Sequence, residues 1–359
     1  MRVYNFSAGP AMLPLAVLEE AQRQLVEHGE SGQSVMEMSH RSPTYDAIHR
    51  EAIAALRRLL AVPEGYRVLL LQGGASLQFS MVPMNLMHPN RRADYVLTGS
   101  WSKKAWKEAK REGAARVAAS TEAEGFRRLP RASELDLDPA ADYVHVTTNN
   151  TIFGTQWHVL PETGGVPLVA DASSDVLCRP LDVSRFGLLY AGAQKNLGPS
   201  GVTLVVVRED LVERAPETLP SMLQYRVHAA ADSLYNTPPT WAIYVLGLYC
   251  RWLEERGGTV AVGETNRRKA AALYAAIDGS GGFYRGTVEA ADRSWMNVCF
   301  RLPDDRLEQR FLAAAAEAGL VDLKGHRSVG GVRASIYNAM PEEGVAALIE
   351  FMREFQRRA

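Results

Sequence analysis

Cysteine is scarce in this chain of 359 residues, and the three cysteines it has are far apart. Cys178, Cys250 and Cys299 form neither a dense disulfide framework nor the close pair of ligands typical of a structural metal site. This spacing excludes a small disulfide-stabilised fold, and no bound metal is expected. It also predicts that the protein works in a reducing compartment, the cytoplasm.

The chain also has no excess of charge of one sign and no long apolar run. Lys and Arg number 40 against 41 Asp and Glu, so no overall basic field exists to attract nucleic acid. The most apolar long segment, residues 241–253, is too short to span a bilayer and is typical of a buried helix. The first ten residues lack the apolar core of a signal peptide. Neither a membrane nor nucleic acid is therefore an expected partner.

Short apolar runs alternate with amphipathic stretches after Gly65. These runs are continuous rather than alternating in polarity, which is typical of strands covered on both faces. The predicted strands are Val68–Leu71, Tyr95–Thr98, Tyr143–Thr147, Val166–Ala170, Leu188–Ala191 and Val202–Val207. Helical patterns at residues 15–28, 102–112 and 239–256 complete an α/β pattern with a mostly parallel sheet.

The pattern changes near Gly257. Helices are predicted at 260–277, 306–318 and 341–356, separated by an alternating strand at 294–302 and a short strand at 332–336. We therefore expect a large domain over residues 16–256 and a smaller α+β domain over residues 257–359.

One lysine stands in an unusual place, in the stretch GLLYAGAQKNLGPSG. Lys195 follows the apolar strand and is flanked by small uncharged residues. Most lysines are solvated surface groups. A lysine held in apolar surroundings instead loses solvation of its charged form, so its pKa falls and its amine becomes a nucleophile. Lys195 is therefore a candidate for forming a Schiff base with a carbonyl compound.

Asp171 ends the strand before the one that leads to Lys195. In doubly wound sheets ligands bind beyond the carboxyl ends of the strands, although a strand-end Asp is often only a helix cap. A carboxylate and a lysine in neighbouring strand-end loops are what pyridoxal phosphate chemistry requires, because the carboxylate keeps the pyridine nitrogen protonated.

Other strand ends carry further candidates. Gly73 and Gly74 precede a helix start, where the backbone N–H groups of Ala75 and Ser76 would form an anion site, although glycines are often simple turn formers. Trp101 could pack in the core or stack on the pyridine ring. Thr151 could be an ordinary loop hydroxyl or a ligand of the cofactor's phenolic oxygen.

Five dispersed motifs then resemble one family from end to end. NFSAGPAMLP, SVMEMSHRS, YAGAQKNLGPSG, YNTPPTWAIY and KGHRSVGGVRASIYNAMP are similar to those of the phosphoserine aminotransferases, which are fold-type I pyridoxal 5'-phosphate enzymes. The resemblance implies a seven-stranded, mostly parallel sheet between helices in the large domain, and an N-terminal segment, residues 1–15, that packs against the small domain.

The resemblance also implies roles for particular residues. Lys195 would form the Schiff base, Asp171 would hold the ring nitrogen, Trp101 would stack on the ring and Thr151 would bind its phenolic oxygen. The implied phosphate ligands are Ala75, Ser76 and Gln194, together with Asn236 and Thr237 from the other subunit of a homodimer. Some family members carry Gly-Arg where this chain has Ala75-Ser76, so one positive charge is missing here.

Two His-Arg pairs are candidates for the substrate's anionic groups, because guanidinium groups bind carboxylates and phosphates through paired donors. They are His40 with Arg41 and His326 with Arg327, and Arg333 follows the second pair. Which anion each side chain holds stays open. The implied reaction is ping-pong transfer of the amino group from L-glutamate to 3-phosphohydroxypyruvate, giving O-phospho-L-serine and 2-oxoglutarate. The vitamin B6 precursor 3-hydroxy-2-oxo-4-phosphooxybutanoate is a further acceptor left open.

Two other functions compete with this one. An alanine–glyoxylate aminotransferase-like or cysteine desulfurase-like enzyme would share the cofactor, but a desulfurase needs a mobile reactive cysteine and all three cysteines lie in structural contexts. A non-catalytic binding protein on the same fold would not need the combination of Lys195, Asp171 and Trp101.

Overall fold

A computed structural model describes residues 2–359 of the chain. The strands are β1 (Tyr4–Asn5), β2 (Tyr66–Leu71), β3 (Arg92–Leu97), β4 (Ala114–Ser120), β5 (Val144–Thr147), β6 (Leu168–Asp171), β7 (Leu188–Gly192), β8 (Thr203–Arg208), β9 (Arg285–Gly286), β10 (Asn297–Arg301), β11 (Leu320–Val321) and β12 (Val332–Ser335). The helices are α1 (Leu15–Arg23), α2 (Pro43–Leu59), α3 (Gly74–Leu86), α4 (Ser100–Ala109), α5 (Glu209–Val212), α6 (Tyr225–Ala230), α7 (Thr240–Glu255), α8 (Gly258–Asp278), α9 (Asp305–Glu317) and α10 (Glu342–Arg358). Short 3-10 turns connect several of these elements.

Seven strands form the central sheet, in the order β2-β8-β7-β6-β5-β3-β4. Only β8 runs against the others, since it pairs antiparallel with both β2 and β7 while the remaining pairs are parallel. The α/β class with a mostly parallel seven-stranded sheet is therefore confirmed. The carboxyl ends of β2, β3, β5, β6 and β7 all meet at one edge of the sheet, where ligands bind in such folds.

Helices cover both faces of this sheet. The central strands β5 to β7 are buried along their whole length, which explains their continuous apolar sequences. One core cluster joins α2 and α7 to one face, and another joins α3 and α4 to the opposite face. Among residues 2–359, none of the helices combines the length and apolar character that crossing a bilayer would require.

A smaller unit follows α7. The strands β9, β10 and β12 form an antiparallel sheet that packs with α8, α9 and α10 around its own apolar cluster. The N-terminal strand β1 pairs with β11, and Phe6 is buried in that cluster. The proposed domain boundary at 257 falls in the short link between α7 and α8. Whether the two parts fold independently stays a prediction.

Several elements differ from the sequence prediction, and the short elements β1, β9, β11, α5 and α6 are among those not predicted. The first helix ends at Arg23, whereas the apolar spacing predicted that it continues to residue 28. Helix α2 was not predicted, although it begins at a Ser42 cap whose side chain accepts a hydrogen bond from the Tyr45 amide. Strand β4 was not predicted because its alanine-rich sequence, exposed along most of its length, has no apolar run.

Candidate active site

Lys195 lies at the carboxyl edge of the sheet, three residues beyond β7. Its Nζ donates a hydrogen bond to Thr151 Oγ1 at 2.8 Å. Burial lowers the pKa of this lysine to about 8, against opposing effects of Asp171 and Asp175, and the positive charge of Arg333 lowers it further. A larger share of neutral amine at neutral pH follows, as nucleophilic attack requires.

Asp171 is the last residue of β6 and is only 5% exposed. Its Oδ1 accepts hydrogen bonds from the Ser173 amide at 3.0 Å and from Ser173 Oγ at 2.6 Å. Two donors on one oxygen fix the orientation of the carboxylate. The end of β6 therefore presents a fixed negative charge beside the Lys195 loop.

A second buried acid, Asp175, stands behind Asp171 and was not singled out from the sequence. It accepts hydrogen bonds from Thr148 Oγ1 and from Gln156 Nε2 at 3.2 Å. Burial raises the pKa of Asp175 to about 6, and the nearby charge of Asp171 acts in the same direction. No local sequence signal identifies such a residue, because its partners lie in the segment after β5, 19 and 27 residues earlier in the chain.

Trp101 is in the first turn of α4, just after β3. Its ring centroid is 5.4 Å from Lys195 Nζ and 4.3 Å from Lys104 Nζ. The indole Nε1 is buried and has no hydrogen-bond partner among the described residues. The tryptophan thus combines a flat face near the reactive lysine with a buried donor that a ligand could satisfy.

The N-terminus of α3 lies beside Gly192, at the start of the loop that carries Lys195. Gly73 and Gly74 have φ angles of 86° and 64°, a left-handed conformation that lets the chain turn sharply from β2 into the helix. The first amides of α3, including those of Ala75 and Ser76, point out of the helix without partners in it. A Cβ at Gly192 would lie 2.9 Å from Gln194 Oε1 and 3.5 Å from the Ala75 amide nitrogen. The 192–194 segment and the N-terminus of α3 are therefore adjacent, and the free amides of the helix are suited to an anion.

The N-terminal segment also reaches the Lys195 loop. The Ala11 amide donates to the Gln194 carbonyl at 2.8 Å. A Cβ at Gly9 would lie 3.2 Å from Lys195 Cγ. In the sequence this segment is recognisable only as a motif, because nothing local indicates that residues 9 and 195 are neighbours.

Arg333 enters the site from the small sheet. Its NH1 donates to the Thr151 carbonyl at 3.3 Å, and its buried Nε has no partner among the described residues. His326 is near it, since burial and the charges of Arg333, Arg327 and Lys104 lower the pKa of its imidazole. Arg327 is exposed. This cluster is positively charged and makes no ion pair within residues 2–359, so it can receive an anion.

Four predicted site residues lie apart from this group. Arg41 and Thr237 are exposed, and His40 and Asn236 are half-buried. The Thr237 carbonyl accepts a hydrogen bond from Gln72 of the same chain at 3.4 Å. Within residues 2–359, no hydrogen bond joins any of these four to Lys195 or Asp171. Whether a second chain completes the predicted site stays a prediction.

Comparison with known proteins gives this arrangement a family. The model of the class-V aminotransferases matches residues 3–348. The chain belongs to this family. Phosphoserine aminotransferase of Lysinibacillus sphaericus is 56% identical over 357 residues, which are 99% of each chain.

Solved structures agree with that assignment. The structure of phosphoserine aminotransferase from Bacillus circulans subsp. alkalophilus matches with a TM-score of 0.98 and 55% identity, and the match covers 99% of both chains. Another phosphoserine aminotransferase structure, described for radiation damage of its Schiff base, matches with a TM-score of 0.98 and 52% identity over 100% of this chain and 99% of that one. The family predicted from the five motifs is confirmed.

Pyridoxal phosphate is the cofactor of this family, and the residues present fit it. The amine of Lys195 has a lowered pKa, and the fixed carboxylate of Asp171 is close enough to influence it. Trp101 offers a flat face with an unpaired donor, and the space at Gly192 adjoins the amides that begin α3. The aldehyde, ring nitrogen, aromatic ring and phosphate of pyridoxal phosphate would therefore each have a chemically suitable partner among these residues.

Proposed function

We propose that this chain transfers the amino group of L-glutamate to 3-phosphohydroxypyruvate and so forms O-phospho-L-serine and 2-oxoglutarate. The observation that carries the proposal is the grouping of Lys195, Thr151, Asp171 and Trp101 at one sheet edge. Full-length identity above 50% to phosphoserine aminotransferases supports this choice of substrates.

Lys195 is the proposed proton carrier. When bound, pyridoxal phosphate supplies a conjugated ring that takes up the electron pair left on the substrate Cα. The neutral Lys195 Nζ would take the Cα proton and, as an ammonium, would deliver it to the cofactor carbon that is bonded to the amino nitrogen. Its pKa of about 8 serves both steps, since neither the neutral nor the charged form is rare near neutral pH.

Asp171 and Thr151 are proposed to orient the reacting groups. The Asp171 carboxylate, fixed by its two bonds from Ser173, would hold a proton on the ring nitrogen. The hydroxyl of Thr151 accepts a hydrogen bond from Lys195 Nζ and can turn to donate to a ligand oxygen once the lysine reacts.

The basic groups are proposed to hold the substrate's two anions. Arg333 is half-buried, and its guanidinium donates a hydrogen bond to the Thr151 carbonyl, next to the hydroxyl that contacts Lys195. His326 and Arg327 lie beyond it, and His40 with Arg41 would add a second basic pair. Glutamate and phosphohydroxypyruvate each carry two anionic groups, so the proposed substrates require more than one cluster of basic side chains.

We propose that the functional unit is a homodimer located in the cytoplasm. A partner would bring Asn236 and Thr237 to the phosphate of the neighbouring site, which their exposed position permits. Three apolar side chains of the first forty residues, Leu18, Leu25 and Met36, are 36% to 56% exposed and are available for such an interface. The unpaired cysteines are compatible with a reducing compartment.

A desulfurase function finds no support in the thiols. Cys178, Cys250 and Cys299 are all buried, and burial raises the pKa of each thiol above its ordinary value. A buried protonated thiol cannot act as the mobile nucleophile that such an enzyme needs.

The test is glutamate-dependent transamination by the purified full-length enzyme. Phosphohydroxypyruvate should be aminated, whereas pyruvate and glyoxylate, which lack the phosphate, serve as control acceptors. 3-Hydroxy-2-oxo-4-phosphooxybutanoate tests the proposed additional acceptor. Equal or faster turnover of pyruvate or glyoxylate would overturn the proposed function.

A further inference from the structure

A second buried lysine, outside the site described above, has an unusual environment. Lys269 on α8 is 2% exposed. Its Nζ donates to three backbone carbonyls, those of Ile336 at 3.0 Å, Tyr337 at 2.8 Å and Met340 at 2.9 Å. An ammonium group has three donors and a neutral amine has two, so the geometry matches the charged form.

No carboxylate contacts this ammonium directly. Burial lowers the pKa of Lys269 to about 7, and the charge of Glu342 opposes that effect. Glu342 is itself paired with Arg268 at 3.0 Å on the surface. A buried charge without an ion-pair partner is unfavourable for stability. The presence of Lys269 at this position therefore requires a role other than that of an ordinary solvated surface lysine.

The three carbonyls belong to the turn after β12, here called the 336–340 turn. Asn338 lies at its centre, and its backbone amide donates to Asn196 Oδ1 at 2.9 Å. The Asn338 side chain donates to the Leu177 carbonyl at 3.0 Å and accepts from Asn266 at 2.7 Å. The turn is thus joined directly to the residue after Lys195.

Asn196 is fixed from more than one side. Its side chain donates to the Val176 carbonyl at 2.7 Å, and its own carbonyl accepts from the Tyr249 hydroxyl at 3.0 Å. It is 1% exposed. Because Asn196 directly follows Lys195, a shift of its backbone would change the direction in which the Lys195 side chain leaves the loop.

We propose that Lys269 is a positioning residue for Lys195: its ammonium fixes the 336–340 turn, so that Asn338 holds Asn196 and thereby the backbone of the reactive lysine. The proposal rests on the proposed role of Lys195. Lys269 itself touches neither substrate nor cofactor.

The test compares covalent with non-covalent cofactor binding in the full-length protein after removal of its cofactor. Pyridoxal phosphate requires a well-placed Lys195 to become trapped by borohydride, whereas pyridoxamine phosphate binds without that link. In Lys269→Met, and in Asn196→Ala, which removes the acceptor of the Asn338 amide, trapping on Lys195 should slow about 10- to 100-fold, the effect of a small misplacement of a reacting group. The dissociation constant for pyridoxamine phosphate should stay within about threefold of the unmodified protein, because the phosphate and ring contacts remain.

A matched control is Tyr284→Phe. It removes one buried hydrogen bond of the same small domain, from the Tyr284 hydroxyl to the Met352 carbonyl at 2.8 Å, without contacting the 336–340 turn. This variant should trap pyridoxal phosphate at the unmodified rate. If Lys269→Met does not fold, Lys269→Gln, a neutral side chain with two donors, takes its place and must show the same slowing.

The double variant Lys269→Met/Asn196→Ala tests the route of the effect. If Lys269 acts through the hydrogen bond from the Asn338 amide to Asn196, the double variant should trap no more slowly than the slower single variant. The proposal would be overturned if the fold-losses in trapping rate of the two single variants multiply in the double variant, or if either single variant traps normally. It would also be overturned if pyridoxamine phosphate binding falls as much as trapping does. Failure of the unmodified protein to trap at Lys195 would instead overturn the proposed function.

Discussion

The candidate site has two halves that differ in how the chain builds them. The inner half, made of Lys195, Thr151, Asp171 and Trp101, sits at the sheet edge, and its lysine and its carboxylate are already held by hydrogen bonds within one chain. The outer half, made of His40, Arg41, Asn236 and Thr237, is half-buried or exposed and makes no hydrogen bond to Lys195 or Asp171 within residues 2–359. The proposed homodimer accounts for this difference, because a partner chain would complete the outer half.

The largest effect should come from the inner half. Lys195→Ala should lower turnover by at least about 100- to 10,000-fold, the contribution of a general base, because proton transfer and covalent attachment are lost together. The cofactor should still bind through the remaining contacts. Steady-state assays and equilibrium dialysis measure the two effects, and the exposed Lys110→Met is the matched control. Borohydride trapping of the cofactor on a different residue of the unmodified enzyme would contradict the assignment.

The lowered pKa of Lys195 gives a second, pH-dependent test of the inner half. With a pKa of about 8 instead of 10.5, the neutral fraction at pH 7 is about 300-fold larger than for an ordinary lysine. In the cofactor-free protein, chemical modification of Lys195 should therefore rise with pH and level off above about pH 8. Peptide mapping at a series of pH values measures this, with Lys110 as an internal reference. A midpoint near that of Lys110 would show that burial does not activate the amine.

Asp171→Asn should lower turnover by about 100-fold, because an amide cannot stabilise a protonated ring nitrogen as a carboxylate does. The borohydride-trapped link to Lys195 should persist. Asp182→Asn is a close control, since Asp182 Oδ1 accepts from the Ser184 amide at 3.0 Å and from Ser184 Oγ at 2.6 Å, the same pattern at an exposed site. Turnover of the Asp171 variant close to that of the control would exclude the proposed role.

Changes in the outer half should act on substrate binding. Arg41→Gln should raise KM for phosphohydroxypyruvate about tenfold or more, through loss of a charge-assisted hydrogen bond, with a smaller change in kcat. The exposed Arg50→Gln, whose guanidinium pairs with Asp46 at 2.8 Å, serves as control. A fall in kcat with KM unchanged would place Arg41 outside the binding role.

The smallest expected effect comes from a test of whether each site is shared between two subunits. A chain carrying Lys195→Ala is mixed with one mutated at both Asn236 and Thr237, each nearly inactive alone. In a mixed two-fold dimer one site carries both defects and the other carries neither, so up to about half the unmodified activity should return. Demonstrated mixed dimers without recovered activity would rule out a site built from two chains.

Much of the inner half could be predicted from the sequence because its signals are local. A buried strand followed by small residues identified Lys195 and Asp171, and paired glycines identified the start of α3. Contacts between distant segments left no such signal, as with Gly9 beside Lys195 or Asn338 on Asn196. Strand β4 escaped prediction because an alanine-rich edge strand resembles neither an apolar run nor an amphipathic pattern.

The reversed strand β8 has a consequence for the order in which the protein is completed during synthesis. Leu71 at the end of β2 pairs with Thr203, so about 130 residues must be added before β2 gains this neighbour, roughly 7–26 s at about 5–20 residues per second. Tyr4 waits longer still, since its partner is Leu320. The strand pairing that anchors the segment carrying Gly9 and Ala11 therefore forms only when nearly the whole chain has left the ribosome. A nascent chain arrested before β11 would hold the lysine but lack the strand that anchors the segment covering it.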